Sequence, residues 1–267
     1  MKRSPSNALG KKLYEGKTKV VYQYPDDPNL AVLEAKDDIT AGDGVKHDII
    51  EGKSHVATKT TSNVFQLLKE AGLPVAFEKQ LNDIAFLAPL CTMLPYEVVV
   101  RREAHGSFLK RHPELKKGQT FPKLLLEFFL KTKGKKWKTH TLLCDDPLME
   151  WDEHGAFVRL FEASKPRSIQ EPFLTLSGKD IWRVKNEIAL YPEMEKQALL
   201  AFLVLEKAWA LLGRKLVDFK VEFGITKKGQ LLLADVIDND SWRVVEGESY
   251  IDKQFYREGG GVSEVAA

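Results

Sequence analysis

The chain has 267 residues, 43% of them hydrophobic and 29% charged, which is the balance of an ordinary globular protein with a substantial core. Its 40 basic and 38 acidic side chains leave a formal charge of +2, so overall charge favours neither nucleic acid nor membrane as a partner. Two cysteines argue against a disulfide scaffold, and no apolar run approaches the roughly 18 residues that cross a bilayer. We therefore expect a cytoplasmic protein.

The first predicted element is a hairpin over residues 12–22 that turns at Gly16. The glycine, lysine and threonine that begin at Gly16 do not form a Walker A motif, because the motif requires a glycine where Lys11 stands and a helix after the threonine. A glycine hairpin that carries Lys17 and Lys19 could lie over a polyphosphate. The alternative is a hairpin with two surface lysines, which this stretch alone favours.

A loop over residues 36–44 holds three aspartates, among them Asp43. Such a loop could bind a cation or a substrate amine, but its glycines and aspartates favour a turn. Regular elements are predicted on both sides of it from apolar runs and helical spacing. They are a strand over 30–35, a helix over 53–71 with Gly72 as its C-cap, and strands over 75–77 and 84–90.

Residues 93–95 predict a linker between a small β-rich lobe (1–92) and a larger α+β lobe (93–267). A strand over 97–102 then carries Arg101 towards Gly106 and Ser107. If Ser107 caps a helix over 108–112, the helix N-terminus and the arginine together suit an anion.

Residues 113–180 show the least regular pattern. Five lysines and Trp137 fall between Lys131 and Lys138, which could indicate nucleic acid but more simply predicts a solvated loop. Asp180 is expected to cap a helix that starts at Ile181. A long core helix is predicted over 192–212, ended by Gly213.

The stretch over residues 216–224 predicts a strand with one apolar face and one charged face, since side chains alternate along a strand. Asp218, Lys220 and Glu222 share the charged face. A second apolar run follows a turn signal at residues 227–229, so the two strands form a hairpin. With the turn centred on Lys228 and Gly229, Glu222 faces Asp235. Like charges destabilise such a pair unless a cation such as Mg²⁺ lies between them, and a pair of solvated carboxylates is the equally weighted alternative.

Several stretches in one order resemble the SAICAR synthetases of purine biosynthesis, in the stand-alone form of that family. The resemblance covers about residues 12–257. The stretches that carry it are residues 14–19, 40–44, 95–107, 216–224, 234–243 and 252–257.

The resemblance implies an α+β fold with an ATP-grasp-like nucleotide cleft, and the ATP- and Mg²⁺-dependent ligation of L-aspartate to carboxyaminoimidazole ribotide (CAIR). It further implies a homo-oligomer, most simply a dimer, and no membrane or nucleic-acid partner. The expected nucleotide and metal residues are Lys17, Lys19, the backbone near Met93, and Glu222 with Asp235 on Mg²⁺. The expected residues around CAIR and aspartate are Lys220, Asp218, Asp240, Asp43, Arg101, Ser107, Asp146, Arg243, Lys253 and Arg257.

Three residues depart from the family pattern beside the expected anion site. Tyr96 stands where a small aliphatic residue is usual, Glu103 where an arginine or aliphatic residue is common, and His105 where alanine or threonine is. The segment 131–179 is also longer than in many relatives. Two rival functions remain from the residues themselves: another Mg²⁺–ATP enzyme, either a kinase or a ligase acting on a different acid, and a nucleic-acid-binding module built on Lys131 to Lys138.

Overall fold

The computed structural model of this chain describes residues 9–41, 46–152, 156–247 and 249–251. These residues form two larger antiparallel sheets that are covered by long helices, so the expected α+β class is confirmed. The N-terminal elements are β1 (Lys12–Glu15), β2 (Lys19–Gln23), β3 (Leu30–Ala35), β4 (Asp38–Ala41), β5 (Lys46–Ile49), α1 (Lys53–Glu70), β6 (Lys79–Asn82) and β7 (Ala85–Pro89). The central elements are β8 (Cys91–Glu103), α2 (Phe108–Arg111), β9 (Thr120–Leu130), β10 (Lys136–Trp137), β11 (His140–Thr141), β12 (Leu148–Trp151), β13 (Phe157–Phe161), β14 (Leu174–Ser177) and α3 (Gly178–Ile181). The C-terminal elements are α4 (Tyr191–Leu211), β15 (Lys215–Thr226), β16 (Leu231–Ala234), β17 (Trp242–Glu246) and β18 (Ser249–Tyr250).

The first sheet has the strand order β1-β2-β3-β7-β6, and α1 packs against it. Helical spacing places Val64, Phe65 and Leu68 on one buried face of α1. The Phe65 ring meets the Phe86 ring edge-to-face with centroids 6.3 Å apart. Gly72 follows the helix with φ of +85°, a conformation that glycine adopts without strain, which confirms the predicted helix end.

The second sheet has the order β14-β13-β12-β9-β8-β15-β17-β18, with β16 also paired to β15. Its central strands β8 and β15 carry α4 on one face. Ala198, Ala201, Phe202 and Leu205 of α4 are buried there, and the Phe202 and Phe219 rings meet with centroids 5.4 Å apart. The sequence predicted this helix to within one residue at each end, because its apolar spacing is long and regular.

The two faces of β15 differ as the alternation predicted. Its apolar side chains lie in the core, whereas Asp218, Lys220 and Glu222 lie on the opposite face. The neighbouring strand β8 alternates in step, since Asp218 is paired with Arg101 and Glu222 with Glu97. Directly opposed residues of two paired strands share a face. The charged residues of both strands are therefore collected on the side of the sheet that faces away from α4.

The hairpin register predicted for β15 and β16 is wrong by one residue. Glu222 is paired with Ala234, not with Asp235. The turn holds three residues (227–229) rather than two, and Gly229 adopts φ of +82° before Gln230 accepts a hydrogen bond from the Thr226 amide. A three-residue loop with a left-handed glycine is a regular hairpin turn, and sequence alone does not distinguish it from the two-residue form.

Three further local predictions are corrected. Residues 93–95 are not a linker, because β8 runs through them, and an irregularity opposite Phe223 accommodates Pro95, which has no amide hydrogen. The segment 113–180 is not irregular, since it contributes β9 and β12 to β14. Asp180 lies inside α3 rather than at its cap. None of the described helices combines the length and the low charge that crossing a bilayer requires.

Tyr96, one of the three residues expected to depart from the family pattern, belongs to a buried polar cluster on the α4 side of β8. Its hydroxyl donates to Oε1 of Glu187 and lies 2.9 Å from the hydroxyl of Tyr191. Glu187 is fully buried, and its Oε2 accepts the amides of Arg183 at 2.6 Å and Val184 at 3.0 Å. Burial raises the pKa of Tyr96, so the hydroxyl keeps its proton and can donate. The cluster ties the segment before α4 to the central strand.

We expect Tyr96→Phe to destabilise the protein by about 1–3 kcal/mol, because Glu187 loses a donor in a site that water does not reach. Urea unfolding monitored by circular dichroism would measure this change. Tyr24→Phe is the control, since the described residues offer the Tyr24 hydroxyl no hydrogen bond and its ring packs at the edge of the first sheet. Equal unfolding midpoints for the two variants would show that the cluster contributes nothing to stability.

Candidate active site

The charged faces of β8 and β15 form one wall of an open cleft. The loop after β16 closes its other side. Six of the residues predicted from the sequence lie in this lining: Arg101, Ser107, Asp218, Lys220, Asp240 and Arg243. They come from β8, β15, the loop before α2 and the residues around the start of β17, so the fold brings together side chains that are up to 142 positions apart (101 to 243).

Asp218 is the centre of an ion-pair cluster at the end of this cleft. Its Oδ2 accepts Nη1 of Arg101 and Nη1 of Arg243, both at 2.7 Å. Asp218 and Arg101 are each only 3% exposed, so their charges are compensated within the protein rather than by water. Arg243 is the more exposed arginine and is presented to the cleft.

Gly106 packs directly against the guanidinium group of Arg243. Its φ is +57°, and a Cβ atom placed there would lie 2.4 Å from Nη2 of Arg243. Any side chain at this position would therefore strain the backbone and displace the arginine. Ser107 follows at the start of the one-turn helix α2, but its side chain makes no capping hydrogen bond. Ser107 therefore occupies the predicted N-cap position without a capping bond from its side chain, and it lines the cleft.

Glu222 and Asp235 lie close together although their strands are not in the predicted register. Asp235 follows the last residue of β16 with φ of +68°, so the chain leaves the ladder there. The pKa of Glu222 is raised to about 7, first by burial and then by the negative charge of Asp235. Burial acts in the same direction on Asp235, but the ammonium group of Lys19 outweighs it and holds the pKa of this carboxyl below its usual range. The two carboxyl groups are close together, as predicted. They meet because the chain leaves the ladder at Asp235, not because the two residues are paired across the hairpin.

Each of these acids is paired with a lysine. Lys19 of β2 donates to Oδ1 of Asp235, and Lys131 donates to Oε1 of Glu222. Sequence analysis placed Lys131 in a solvated loop and so missed it. A signal was available, because Lys131 directly follows the apolar end of β9, which pairs with β8 and must end beside the cleft. Among the described residues, no group of three or more Asp, Glu, His or Cys side chains could hold a metal ion, so Glu222 and Asp235 have no third such ligand.

Glu97 is a second residue that sequence reasoning missed. It lines the cleft, and its Oε2 accepts Nζ of Lys220 at 2.9 Å. The alternation of β8 could have revealed it, since Glu97 and Arg101 are four residues apart and must share a face. The backbone amide of Lys220 also donates to the carbonyl of Ser241 at 2.8 Å, which fixes the strand beside the cleft loop.

The first sheet and α1 reach the cleft through lysines. Nζ of Lys53, at the start of α1, lies 3.6 Å from Oδ2 of Asp240. A narrow pocket lies between β2, β3, α1 and the residues after β16, with Lys19, Lys53 and Asp238 in its lining. Burial and the neighbouring Asp240 raise the pKa of Asp238. Asp37, from the aspartate-rich loop, accepts a hydrogen bond from the amide of Ser54 at 2.8 Å and so stabilises the first turn of α1.

The remaining predicted site residues have different positions. Lys17 is exposed in the turn between β1 and β2, and Met93 is exposed near the start of β8, where its side chain passes Gly224. Asp146 adopts φ of +42° and accepts the amide of Thr132 at 2.7 Å. Its pKa is raised by burial and then by the charges of Asp145 and Glu97. Asp43, Lys253 and Arg257 lie outside the described residues.

His105 and Glu103, two of the residues expected to depart from the family pattern, contact each other. Nε2 of His105 lies 3.2 Å from Oε2 of Glu103, and Nδ1 lies 2.6 Å from the hydroxyl of Tyr250. Oε1 of Glu103 accepts Nζ of Lys215 at 2.7 Å. Burial lowers the pKa of His105, and Arg243 contributes in the same direction, while Glu103 and Asp218 act against it.

The stability of the protein should depend on pH through His105. Since its folded pKa lies below the unfolded value of 6.5, the folded state binds fewer protons, and the free energy of unfolding falls as pH drops below about 6.5. Each unit of pKa depression corresponds to about 1.4 kcal/mol. We expect His105→Gln to reduce this slope between pH 5 and pH 7, measured by urea unfolding at several pH values. Parallel curves for the variant and the unaltered protein would contradict the assignment.

Comparison with known proteins agrees with this arrangement. Residues 12–143 and 174–266 match the model of the SAICAR synthetase family. The chain belongs to the SAICAR synthetase family. The unmatched residues 144–173 contain β12 and β13 of the second sheet, which lie towards its edge. The expected resemblance is thereby confirmed over most of the chain.

Individual relatives of this SAICAR synthetase family member are similar over most of its length. A phosphoribosylaminoimidazole-succinocarboxamide synthase from Roseiflexus castenholzii is 39% identical over 255 residues, which are 93% of this chain and 87% of that protein. A probable multifunctional protein ADE2 from Caenorhabditis elegans is 41% identical over 249 residues, and this chain spans only 52% of its length. A solved SAICAR synthetase (Type-2) in complex with ADP has a TM-score of 0.73 at 29% identity, covering 95% of this chain and 93% of that one.

Proposed function

We propose that this protein is an ATP-dependent ligase that joins L-aspartate to the carboxylate of CAIR and releases SAICAR, ADP and phosphate. The observation that carries this proposal is the charged cleft wall of β8 and β15, where Arg101, Asp218, Arg243, Lys220 and Glu97 converge. Both acid substrates carry carboxylates and CAIR carries a phosphate, and clustered arginine and lysine donors are suited to such groups. Relatives in the same family bear the name of this activity.

The proposed chemistry requires an activated carboxylate. A carboxylate does not react with an amine until one of its oxygens becomes part of a leaving group. Transfer of the γ-phosphoryl group of ATP to the CAIR carboxylate forms an acyl phosphate and releases ADP. The neutral amine of aspartate then attacks the acyl carbon, the phosphate leaves with the carboxylate oxygen, and an acid side chain accepts the amine proton. Asp218, Asp240 and Asp43 are the proposed candidates around these reacting groups, with Lys220 facing the developing negative charge.

The nucleotide is proposed to lie between the lobe of residues 1–92 and the lobe of residues 93–267. Lys17 and Lys19 would hold its phosphates, and the backbone near Met93 would meet the adenine. The small pocket beside Lys19 and Lys53 supports this assignment, because two cations line it and the first sheet forms one side. The ADP complex of a structural relative is consistent with a nucleotide site in this fold.

Glu222 and Asp235 fit a Mg²⁺ ion that is bound together with the nucleotide. Two carboxylates are held close enough for one to raise the pKa of the other, and a divalent cation would relieve that repulsion. Two protein oxygens and a completion by phosphate and water are typical of Mg²⁺. When bound, the ion would neutralise charge on the transferring phosphoryl group. Lys131 and Lys19 are paired with these two acids and would therefore lie beside the phosphates of a nucleotide that is bound with the ion.

CAIR is proposed to bind at the end of the cleft that holds the arginines. Arg243, Ser107 and Arg101 would hold its phosphate or the neighbouring groups, and Asp146 would border the substrate from the segment after β11. The near-complete burial of Arg101 favours an indirect part for it, with Arg243 as the donor in closer reach of a ligand. Lys253 and Arg257, which lie outside the described residues, are proposed to close the site over anionic substrate.

A substrate-omission experiment tests the function directly. With ATP, Mg²⁺, CAIR and L-aspartate present, we expect stoichiometric release of ADP and phosphate and the formation of SAICAR. Omission of either acid substrate should reduce phosphate release to background. A kinase acting on the same cleft would form a stable phosphorylated acceptor without aspartate. Phosphate release that does not change when aspartate is omitted would exclude the ligase.

Glu222→Gln should separate stability from activity. Folding raises the pKa of Glu222 from 4.5 to about 7, so the folded state favours the protonated carboxyl group. This contribution to stability is lost as pH rises through about 7, where the carboxyl group ionises in the folded protein. Without nucleotide or metal at pH 8, we expect the variant to have a higher Tm. Its free energy of unfolding should be greater by on the order of 1–3 kcal/mol. Lys131 is half exposed and can turn to water. Turnover with Mg²⁺–ATP should fall at least about a hundredfold.

Glu206→Gln is the matched control for this experiment. Glu206 is also paired with a cation, because Arg102 donates to its two oxygens at 2.6 and 2.9 Å, but it belongs to α4. This variant should keep normal turnover and show no gain in Tm. Normal turnover of Glu222→Gln would instead remove the metal assignment.

The described chain gives the nucleic-acid alternative little support. Lys131 is bound to Glu222, and Nζ of Lys133 lies 5.9 Å from the centroid of the Tyr14 ring in β1. Trp137 is buried, and its indole donates to the carbonyl of Asp180 at 2.9 Å. Lys133, Lys135, Lys136 and Lys138 are exposed, but the aromatic ring of this stretch is not available for stacking on bases. The homo-oligomer and the cytoplasmic location stay predictions, of which light scattering would test the first.

A further inference from the structure

We propose that Glu127 and Arg111, two residues beside the cleft lining, are positioning residues that orient Arg101 and thereby set the affinity of the cleft for the anionic end of CAIR. This inference rests on the proposed function. Neither residue lines the cleft at Asp218 and Arg243. They connect to it through a single row of alternating charges that crosses the second sheet.

The row begins at the cleft with Arg243 of β17. Asp218 of β15 accepts from Arg243 and from Nη1 of Arg101 on β8, each at 2.7 Å. Oε2 of Glu127 on β9 accepts Nε of Arg101 at 2.8 Å, and its Oε1 accepts Nη2 of Arg111 at 2.6 Å. Glu127 is paired with Val99 on β8, so it shares the sheet face that carries Arg101. The five side chains thus extend from the cleft to α2.

The hydrogen bonds fix the plane of the Arg101 guanidinium. Nε and Nη1 lie on different edges of this planar group, and each is bound to a different carboxylate. With both bonds made, the group cannot rotate about its long axis. Arg101 stacks over the Phe108 ring at 5.3 Å, which restricts its tilt as well. Removal of Glu127 would release one of the two fixed edges and leave Asp218 as the remaining carboxylate partner.

Arg111 holds the far end of the row. It is only 1% exposed, its Nη1 donates to the carbonyl of Ala163 at 2.8 Å, and its guanidinium lies 5.3 Å from the centroid of the Phe129 ring. Its Nε is buried and has no hydrogen-bond partner among the described residues. The same Nη1 lies 3.4 Å from the carbonyl of Ser107, so Arg111 also contacts the backbone of a predicted substrate residue.

The charge of the row favours an anionic ligand at its exposed end. Three guanidinium groups and two carboxylates leave one positive charge, and Arg243 is the member most exposed to the cleft. Buried ion pairs are a poor means of gaining stability, because the loss of hydration offsets most of their attraction. They are an effective means of holding groups in a fixed orientation. A ligand phosphate or carboxylate would complete the alternation without reorganising the arginines.

Titration calorimetry with CAIR as the titrant and the full-length protein in the cell tests this role. We expect Glu127→Gln to weaken CAIR binding at least about tenfold, because Arg101 loses a charge-assisted hydrogen bond. Binding of ADP, measured in a separate titration, should be unchanged. Glu150→Gln is the matched control, since Glu150 pairs with Arg167 through two hydrogen bonds on the adjacent strand β12 but has no contact with the row. This control should bind CAIR normally.

A double variant keeps the proposal testable if Glu127→Gln does not fold. Arg111→Met with Glu127→Gln removes one charge of each sign, so it avoids leaving Arg111 buried and unpaired. A folded double variant with weakened CAIR binding and normal ADP binding supports the positioning role. Normal CAIR binding by a folded variant that lacks Glu127 overturns it. If the unaltered protein binds ADP but not CAIR, the proposed function itself fails, and the inference fails with it.

Discussion

The central strand β15 has to satisfy two opposed environments along one short stretch of chain. On one side its apolar residues complete the core beneath α4, and on the other Asp218, Lys220 and Glu222 must remain charged beside a sheet. Charges so close to a core are tolerated only when each has a partner. The structure provides those partners from neighbouring strands: Arg101 and Arg243 for Asp218, and Glu97 for Lys220. The cleft is therefore a consequence of sheet pairing as much as of any individual side chain.

Partners also come from the N-terminal part of the chain. Lys19 in β2 reaches Asp235, and Lys53 at the start of α1 reaches Asp240. Both acids follow β16, which belongs to the second sheet. The first sheet and α1 thus contribute cations to a site whose anions come mostly from the second sheet and the residues that follow β16. For a polyphosphate substrate this distribution is favourable, because the cations approach from the side opposite the carboxylates that suit a metal ion.

Periodicity was sufficient for the elements with a strong and regular pattern. The helices α1 and α4, the glycine hairpin of β1 and β2, and the two faces of β15 all follow from the spacing of apolar residues. Periodicity did not predict the strands whose formation depends on pairing with other parts of the chain. The segment 113–180 lacks a regular pattern, yet its β9 pairs with β8, and β12, β13 and β14 continue the sheet beyond β9. Tertiary pairing, rather than local propensity, makes these residues strands.

The candidate site was predictable to a similar degree and for the same reason. Residues on β15 were found because a minus, plus, minus alternation is conspicuous. Glu97 was missed because it is one charge among apolar neighbours, and Lys131 because it begins a lysine-rich stretch that predicts a solvated loop. Arg111 and Glu127 carry no distinct sequence signal at all. Their connection to Arg101 depends on the register between β8 and β9 and on the return of α2 over the sheet. Information of this kind exists only in the folded chain.

The turn between β15 and β16 illustrates how far such register effects extend. Its three residues lie at the protein surface, where hairpin loops ordinarily tolerate insertions and deletions. Here the loop length decides which residue of β16 is opposite Glu222, and where the chain leaves the ladder at Asp235. A loop longer or shorter by one residue would exchange the two faces of β16 and carry Asp235 away from its acidic neighbour. Evolutionary freedom at this exposed tip is therefore limited to the identity of its side chains, while its length is constrained by a carboxyl group several residues away.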